Sequence, residues 1–242
     1  AAAVARPPGE SVRPRYLGLR ARQGRLLAEQ SEQASITFHP DLVAASTDPL
    51  IRQQMQNQEQ LFMTRRSLLR SDLQSIEESI QGQEGLLAAY KGMLENRTSQ
   101  LRLLNEELGH LRGLVKEGYA PRNRQLELER MVADSSTAIA DLMGNSERAR
   151  RAIGEMRQRA LSRKQEYRKE VETQLADVNR EVQADSEKMR AVSDDLARTE
   201  IRAPASGQVV GLAVQTVGAV VQSGQKLMDI VPKDAPLILE AH

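Results

Sequence analysis

Residues 69–122 read LRSDLQSIEESIQGQEGLLAAYKGMLENRTSQLRLLNEELGHLRGLVKEGYAPR. From Leu69 the apolar side chains recur in alternating steps of four and three. They run Leu69, Leu73, Ile76, Ile80, then Leu87, Tyr90 and Leu94, then Leu101, Leu104, Leu108, Leu111 and Val115. Gln83 and Arg97 interrupt the series, so twelve of its fourteen positions are apolar. A stripe of this period, held for seven heptads, belongs to a helix covered along its length by another helix. The stretch closes on Glu117-Gly118-Tyr119-Ala120-Pro121. Gly118 can take the left-handed conformation that ends a helix, and Pro121 can open the next one. So short a link turns the chain back on itself. The expected unit is an antiparallel hairpin in which facing residue numbers add to about 238.

The partner helix follows the turn. Its seam reads Leu128, Val132, Ser135, Ile139, Leu142, Ser146, Ala149, Ile153, Met156, Ala160, Arg163 and Tyr167, then slips by one residue to Val171, Leu175, Val178 and Val182. The Ser and Ala positions make this side thinner, and large residues across the seam can fill it. The first hairpin helix starts cleanly at Asp48-Pro49, an N-cap followed by a proline at the first helical position. Expected bounds are 49–117 and 121–199. Charge gives a check on the pairing. Residues 148–169 hold nine Arg and Lys against Glu155 and Glu166, whereas 69–90 hold Asp72, Glu77, Glu78 and Glu84 against Arg70. Basic faces acidic in the expected register, as coiled-coil flanks prefer. The alternative is two solvated faces, since exposed pairs contribute little.

Upstream, residues 11–35 read as a shorter helix with Tyr16, Leu19, Leu26 and Leu27 as its better apolar positions, and 36–48 as a break around His39-Pro40. At 1.5 Å per residue the hairpin helices are roughly 100 and 120 Å long. The short helix placed end to end with the first would overshoot the second. It is therefore expected beside the base of the hairpin, with the slip near Tyr167–Val171 marking where it joins. Residues 1–10 are rich in Pro and Gly and read as irregular.

Composition agrees with a long-helix protein. Of 242 residues, 40% are apolar yet four are Tyr, two Phe and none Trp. A compact core of this size would use more aromatics. With 34 basic against 33 acidic residues there is no global attraction to nucleic acid or an anionic membrane. The absence of Cys removes disulfides, thiolate chemistry and Cys-ligated metals. No run is apolar enough to span a bilayer, and 1–9 carry no signal-peptide core.

After Thr199 the pattern changes. Glu200-Ile201-Arg202-Ala203-Pro204, Ser206-Gly207, Gln208–Val214, Val217–Val221 and Lys226–Pro232 are short β-branched runs punctuated by Gly, as in a small sandwich or barrel. About thirty residues are too few to close one alone. A strand-like run follows at 236–241.

A long hairpin followed by T-E-I-R-A-P-x-S-G-x-V and V-G-x-V-V-x-x-G-Q-x-L-M-x-I-V-P resembles the HlyD family, the membrane fusion or periplasmic adaptor proteins of bacterial type I secretion. Arg20-Ala21-Arg22, Arg25–Glu29, Phe38-His39-Pro40 and Asp48-Pro49 resemble the branch serving secreted proteases and lipases. The resemblance covers nearly everything after residue 15. It implies a mainly α protein: a coiled-coil hairpin domain over 11–199 with a short extra helix at its base. A β tail would follow, with 200–234 as the second half of a lipoyl-like domain and 235–242 as the start of a β-barrel domain. It also implies a periplasmic region of an inner-membrane-anchored protein. Such adaptors form a ring, six-fold by the resemblance, around an inner-membrane ABC transporter and reach a TolC-type outer-membrane channel, passing unfolded protein. No nucleic acid, cofactor, metal or catalytic residue is implied.

The channel-contacting tip would comprise Leu114, Gly118, Tyr119, Pro121 and Arg122. Efflux adaptors carry Arg-x3-Leu-x6-Ser here; this chain has His110, Leu114 and Pro121 at those spacings, and the Leu agrees. The plainer reading of Leu114 is the last residue of the coiled-coil core.

Other chemistry lacks its motifs. Lys226 lacks the flanking pattern of a lipoyl or biotinyl lysine, His39, His110 and His242 are far apart, and there is no Walker loop or Gly-x-Ser-x-Gly. Gly109–Gly113 has GxxxG spacing in a charged helix, and the Asn96-Arg97-Thr98 sequon lies among heptads. A coiled-coil spacer without a channel partner and the carrier domain of a biotin or lipoyl enzyme are the competing readings. The Gly-punctuated tail argues against the first, and the missing lysine motif against the second.

Overall fold

The computed structural model describes residues 8–232, so 1–7 and the strand-like run 236–241, with the barrel start expected over 235–242, lie outside it. The order is α1 (Pro8–Gln30), α2 (Pro40–Ala44), α3 (Pro49–Lys116), α4 (Arg122–Thr199), β1 (Gly207–Val210) and β2 (Asp229–Pro232). The chain divides into two compact units, Arg13–Asp185, and Ala1–Val12 with Ser186–His242.

Within the first unit, α3 and α4 form the antiparallel hairpin. Asp48 accepts from the Leu50 N–H as N-cap, with Pro49 opening α3. Of the fourteen seam residues from Leu69 to Val115, all but Arg97 are shielded, and all sixteen on α4 are. Arg157–Glu84 (3.1 Å) and Arg112–Glu129 (3.2 Å) join residues whose numbers add to 241. Arg163–Asp72 (3.0 Å) and Arg65–Glu170 (3.1 Å) add to 235. These values bracket the expected register, the long arginines reaching about a turn either way. Basic does face acidic at Arg157–Glu84 and Arg163–Asp72.

The short helix lies beside the base. Arg15 pairs with Asp185 (3.4 Å), Gln23 with Asn179 (2.8 Å) and Arg22 with Gln174 (3.5 Å), so α1 runs antiparallel to α4. Arg25–Gln58 (2.8 Å) and Glu29–Arg65 (2.9 Å) set it parallel to α3. Three helices shield a core where two cannot. Tyr16, Leu17, Leu26, Leu42, Ile51, Phe62, Val171, Leu175, Val178 and Val182 are all buried here. Farther out, the two-helix arm buries few residues, among them Ile80, Leu108, Leu128 and Ile153.

Helix α1 departs from the expected 11–35 at both ends. It already includes Pro8–Glu10, and it stops at Gln30. There Glu32 takes φ +53° and the Gln33 N–H reaches the Ala28 carbonyl at 2.9 Å, a left-handed stop built without glycine. Leu27 is 43% exposed, whereas Ala21 and Ala28 are buried. Small residues face the hairpin because the helices approach closely. The break from 36 to 48 holds α2, capped by the His39 ring accepting from the Asp41 N–H at 3.1 Å. Past Gln30 the track of α1 is an open groove of about 450 Å³, with an apolar floor including Phe62, Leu69 and Val171 and a rim carrying Arg66, Arg70, Lys164 and Arg168.

In the second unit β1 and β2 pair antiparallel, Gly207 opposite Pro232 and Val210 opposite Asp229. A Cβ at Gly207 would land on the Val231 carbonyl, so the pairing requires glycine there. The run Val217–Val221 forms no strand. Val209, Val217, Val220 and Val231 are exposed, which leaves an apolar β surface without a cover among the described residues.

Candidate functional site

The apex of the hairpin is built by backbone geometry. Gly118 has φ +80°, its N–H donates to the Val115 carbonyl at 3.1 Å, and the Tyr119 N–H donates to that of Leu114 at 2.8 Å. These two bonds satisfy the last carbonyls of α3 and turn the chain sharply. Pro121 stands just before α4, which Arg122 opens. All five residues singled out from sequence thus gather at one end of the hairpin.

Their exposure separates them from the core. Tyr119 is 80% exposed and Leu114 46%. Val115, not Leu114, closes the seam, since Val115 is shielded. The plainer reading of Leu114 as the end of the core therefore does not fit its placement. Two apolar side chains stand in solvent beside cationic Lys116 and Arg122. Just behind them Glu129 accepts from Gln125 and Arg112, both at 3.2 Å. Its carboxyl is held below the usual range by those two hydrogen bonds, the Gln125 bond foremost, and by the charges of Arg112 and Arg122. The tip is a small apolar knob on a clamped turn, a surface suited to contact.

A second cluster lies where α1 ends. Glu29 accepts from Arg25 (2.9 Å) and Arg65 (2.9 Å) through one oxygen, and Arg65 also reaches Glu170. The side chains of Arg25 and Glu29 are 5% and 0% exposed. The Arg65 guanidinium stacks 5.3 Å from the Tyr167 ring centre. Burial pushes the Tyr167 phenol up, as does the charge of Glu29. Sequence reasoning missed this network, because Arg and Glu one turn apart read as surface. The signal was present in Arg25 and Glu29 flanking the apolar Leu26 and Ala28. Among the described residues no three His, Asp or Glu side chains converge as a metal site. No described helix is long and apolar enough to cross a membrane.

Comparison with known proteins bears on the hairpin as a whole. The family described as "AprE, long alpha-helical hairpin" matches residues 7–195. Alkaline protease secretion protein AprE of Pseudomonas aeruginosa is 34% identical over 98% of this chain and 55% of its own length. Proteases secretion protein PrtE of Dickeya chrysanthemi is 36% identical over 98% of this chain and 53% of its own. The chain thus spans about half the length of these relatives. The crystal structure of the soluble domain of LipC, a membrane fusion protein of a type I secretion system, superposes with a TM-score of 0.82 at 34% identity, covering 93% of this chain and 84% of that one.

Proposed function

The chain belongs to the AprE long α-helical hairpin family, among the HlyD-type membrane fusion proteins of type I secretion, and from that premise we propose that it is the spacer and tip of a periplasmic adaptor. The protein links an inner-membrane ABC transporter to a TolC-type outer-membrane channel, forms a ring, and lets unfolded protein pass. Its role is mechanical and not enzymatic, in keeping with relatives that are secretion proteins.

The observation that carries this reading is the exposed knob at the apex. Leu114 and Tyr119 sit outside the seam, at the end of a hairpin whose first helix is roughly 100 Å long. A spacer without a tip partner has no use for exposed apolar groups on a rigidly capped turn. Gly118 gives the turn its shape, Pro121 fixes the restart, and Arg122 supplies charge to the contact. The open β surface at Val209 and Val231 is the second half of a lipoyl-like domain, completed by a first half elsewhere in the full-length protein.

Site-specific photocrosslinking tests it. A photoreactive amino acid in place of Tyr119, in the full-length protein of secreting cells, is expected to capture an outer-membrane channel. Secretion that proceeds with no such adduct from Tyr119 or Leu114 would sink the tip assignment.

A further inference from the structure

Helix α3 carries a second repeat beside its core seam. Steps of four and three from Ser75 pass through Gly82, Leu86, Ala89, Met93 and Leu103 to Leu114, and every residue on this track is exposed. Its large members are far from shielded: Leu86 is 42% exposed, Met93 51% and Leu103 59%. Among its twelve positions Glu107 alone is an Asp, Glu, Lys or Arg.

The opposite flank of the same helix is built differently. It holds Glu77, Glu84, Lys91 and Arg112, and two of these pair across to α4. A helix with one partner normally keeps its solvated flanks charged or polar, without a run of large exposed apolar residues. A second heptad track, short of charge and mixing exposed Leu and Met with Ser, Gly and Ala and with the polar Asn96, Gln100 and His110, suits a second helix contact. The small residues leave room for close approach: no atom lies within 4 Å of a Cβ placed on Gly82.

We propose that this track is the lateral contact between two copies of the chain, and that the neighbour lays the outer face of its α4 around Ala140 against it. The inference rests on the ring of the adaptor reading and adds which faces meet. Length argues for a second copy. The track covers residues 75–114, roughly 60 Å of helix, and the occupant must be a rod with a matching repeat. A stable contact takes about 800 Å² per partner, which a helix pair of this length can supply.

Charge selects the face on the neighbour. Between Arg130 and Glu147 the arc of α4 centred on Ala140 presents Ala133, Ser136, Thr137, Ala140 and Met143, all exposed and none charged, with exposed Asp134 and Asp141 along one margin. In the register of Arg112 with Glu129 these residues stand level with Thr98 to Leu108 of α3. Copies side by side and pointing the same way therefore bring the uncharged arc of α4 level with Gln100, Leu103 and Glu107 of the track, where Glu107 is the one charge. Because unlike faces meet, each copy keeps one of each kind free, and the contact repeats until it closes.

The chain has no Cys of its own, so the parent full-length protein, oxidised in the same way, sets the background for introduced thiols. The full-length protein carrying Gln100→Cys with Ala140→Cys, oxidised in secreting cells with copper phenanthroline, is expected to give a ladder of disulfide-linked dimers, trimers and larger species. Each single variant alone should give none, and the two single variants co-expressed should give a mixed dimer. Lys91→Cys with Ala140→Cys, on the charged flank, should give no ladder. Adding Met93→Glu and Leu103→Glu should cut the ladder at least tenfold while the helical circular dichroism of the purified protein stays unchanged.

Dimers from Gln100→Cys alone, a link from Gln100 to a different protein, or a ladder that survives both Glu substitutions would overturn the proposal. So would the absence of a ladder in cells where Tyr119 still captures a channel, an outcome that leaves the adaptor reading standing. A ladder without tip capture would support the lateral contact and count against the tip.

Discussion

Glu29 of α1 and Arg65 of α3 bond at 2.9 Å at the level where α1 stops. The carboxylate is wholly buried, and Arg25 shares its single bonded oxygen. The network is where three helices become two. Removing one member of a buried pair leaves the others without compensation, at a cost of roughly 3–5 kcal/mol. Glu29→Leu should therefore lower the urea midpoint of the protein strongly, and Arg25→Met combined with Glu29→Leu should recover most of the loss. A single variant within about 1 kcal/mol of the parent would show that the pair contributes little net.

Alkaline pH should loosen the same base. Burial, reinforced by its bond to Asp41, pushes the Tyr16 phenol above 10.0, and burial with the nearby Glu29 charge does the same at Tyr167. A group whose folded value is raised stabilises fully below its unfolded value, and that contribution is lost as pH climbs through the folded one. Melting temperature should thus fall above about pH 10, and the fall should be shallower in Tyr16→Phe with Tyr167→Phe. Equal slopes in parent and variant would assign the loss to other groups.

Leucines that look alike in sequence should differ in consequence. Leu26 is 0% exposed in the three-helix base, whereas Leu86 is 42% exposed on the arm. Leu26→Ala is expected to cost about 3 kcal/mol by transfer and cavity terms, and Leu86→Ala less than about 0.5 kcal/mol in the purified chain. Denaturant titration of both gives the comparison directly.

The two left-handed stops should respond with opposite sign. Gly118 at φ +80° serves its turn without strain, and Glu32 at φ +53° carries a side chain where one is disfavoured. Gly118→Ala should destabilise by about 1 kcal/mol, and Glu32→Gly should stabilise by a few tenths to about 1 kcal/mol. Thermal melts read both. Stabilisation by Gly118→Ala would contradict the apex geometry.

The hairpin was legible because a heptad seam repeats one physical demand many times, and Gly118-Pro121 states the reversal locally. The one-residue slip after Tyr167 likewise announced the third helix, since a seam that must face two partners shifts its phase. What escaped sequence reading depends on long-range packing. Arg25 and Glu29 are buried only because α3 brings Arg65 to them. Helix α1 ends at a non-glycine residue whose strain no propensity signals. Leu27 faces outward while Ala28 faces in because close helix approach favours the smaller side chain. The exposure of Leu114 and Tyr119 at the apex was legible for a local reason: an apolar residue on a turn has no seam to fill.

The change from three helices to two has a mechanical outcome. Bending stiffness rises steeply with the thickness of a beam, so the base acts as a clamp and the arm as a cantilever. A sideways push on Tyr119 acts through a lever of roughly 70 Å before it meets the end of α1. Deflection then concentrates just beyond Glu29 and Arg65, and the apex swings while its footing stays still.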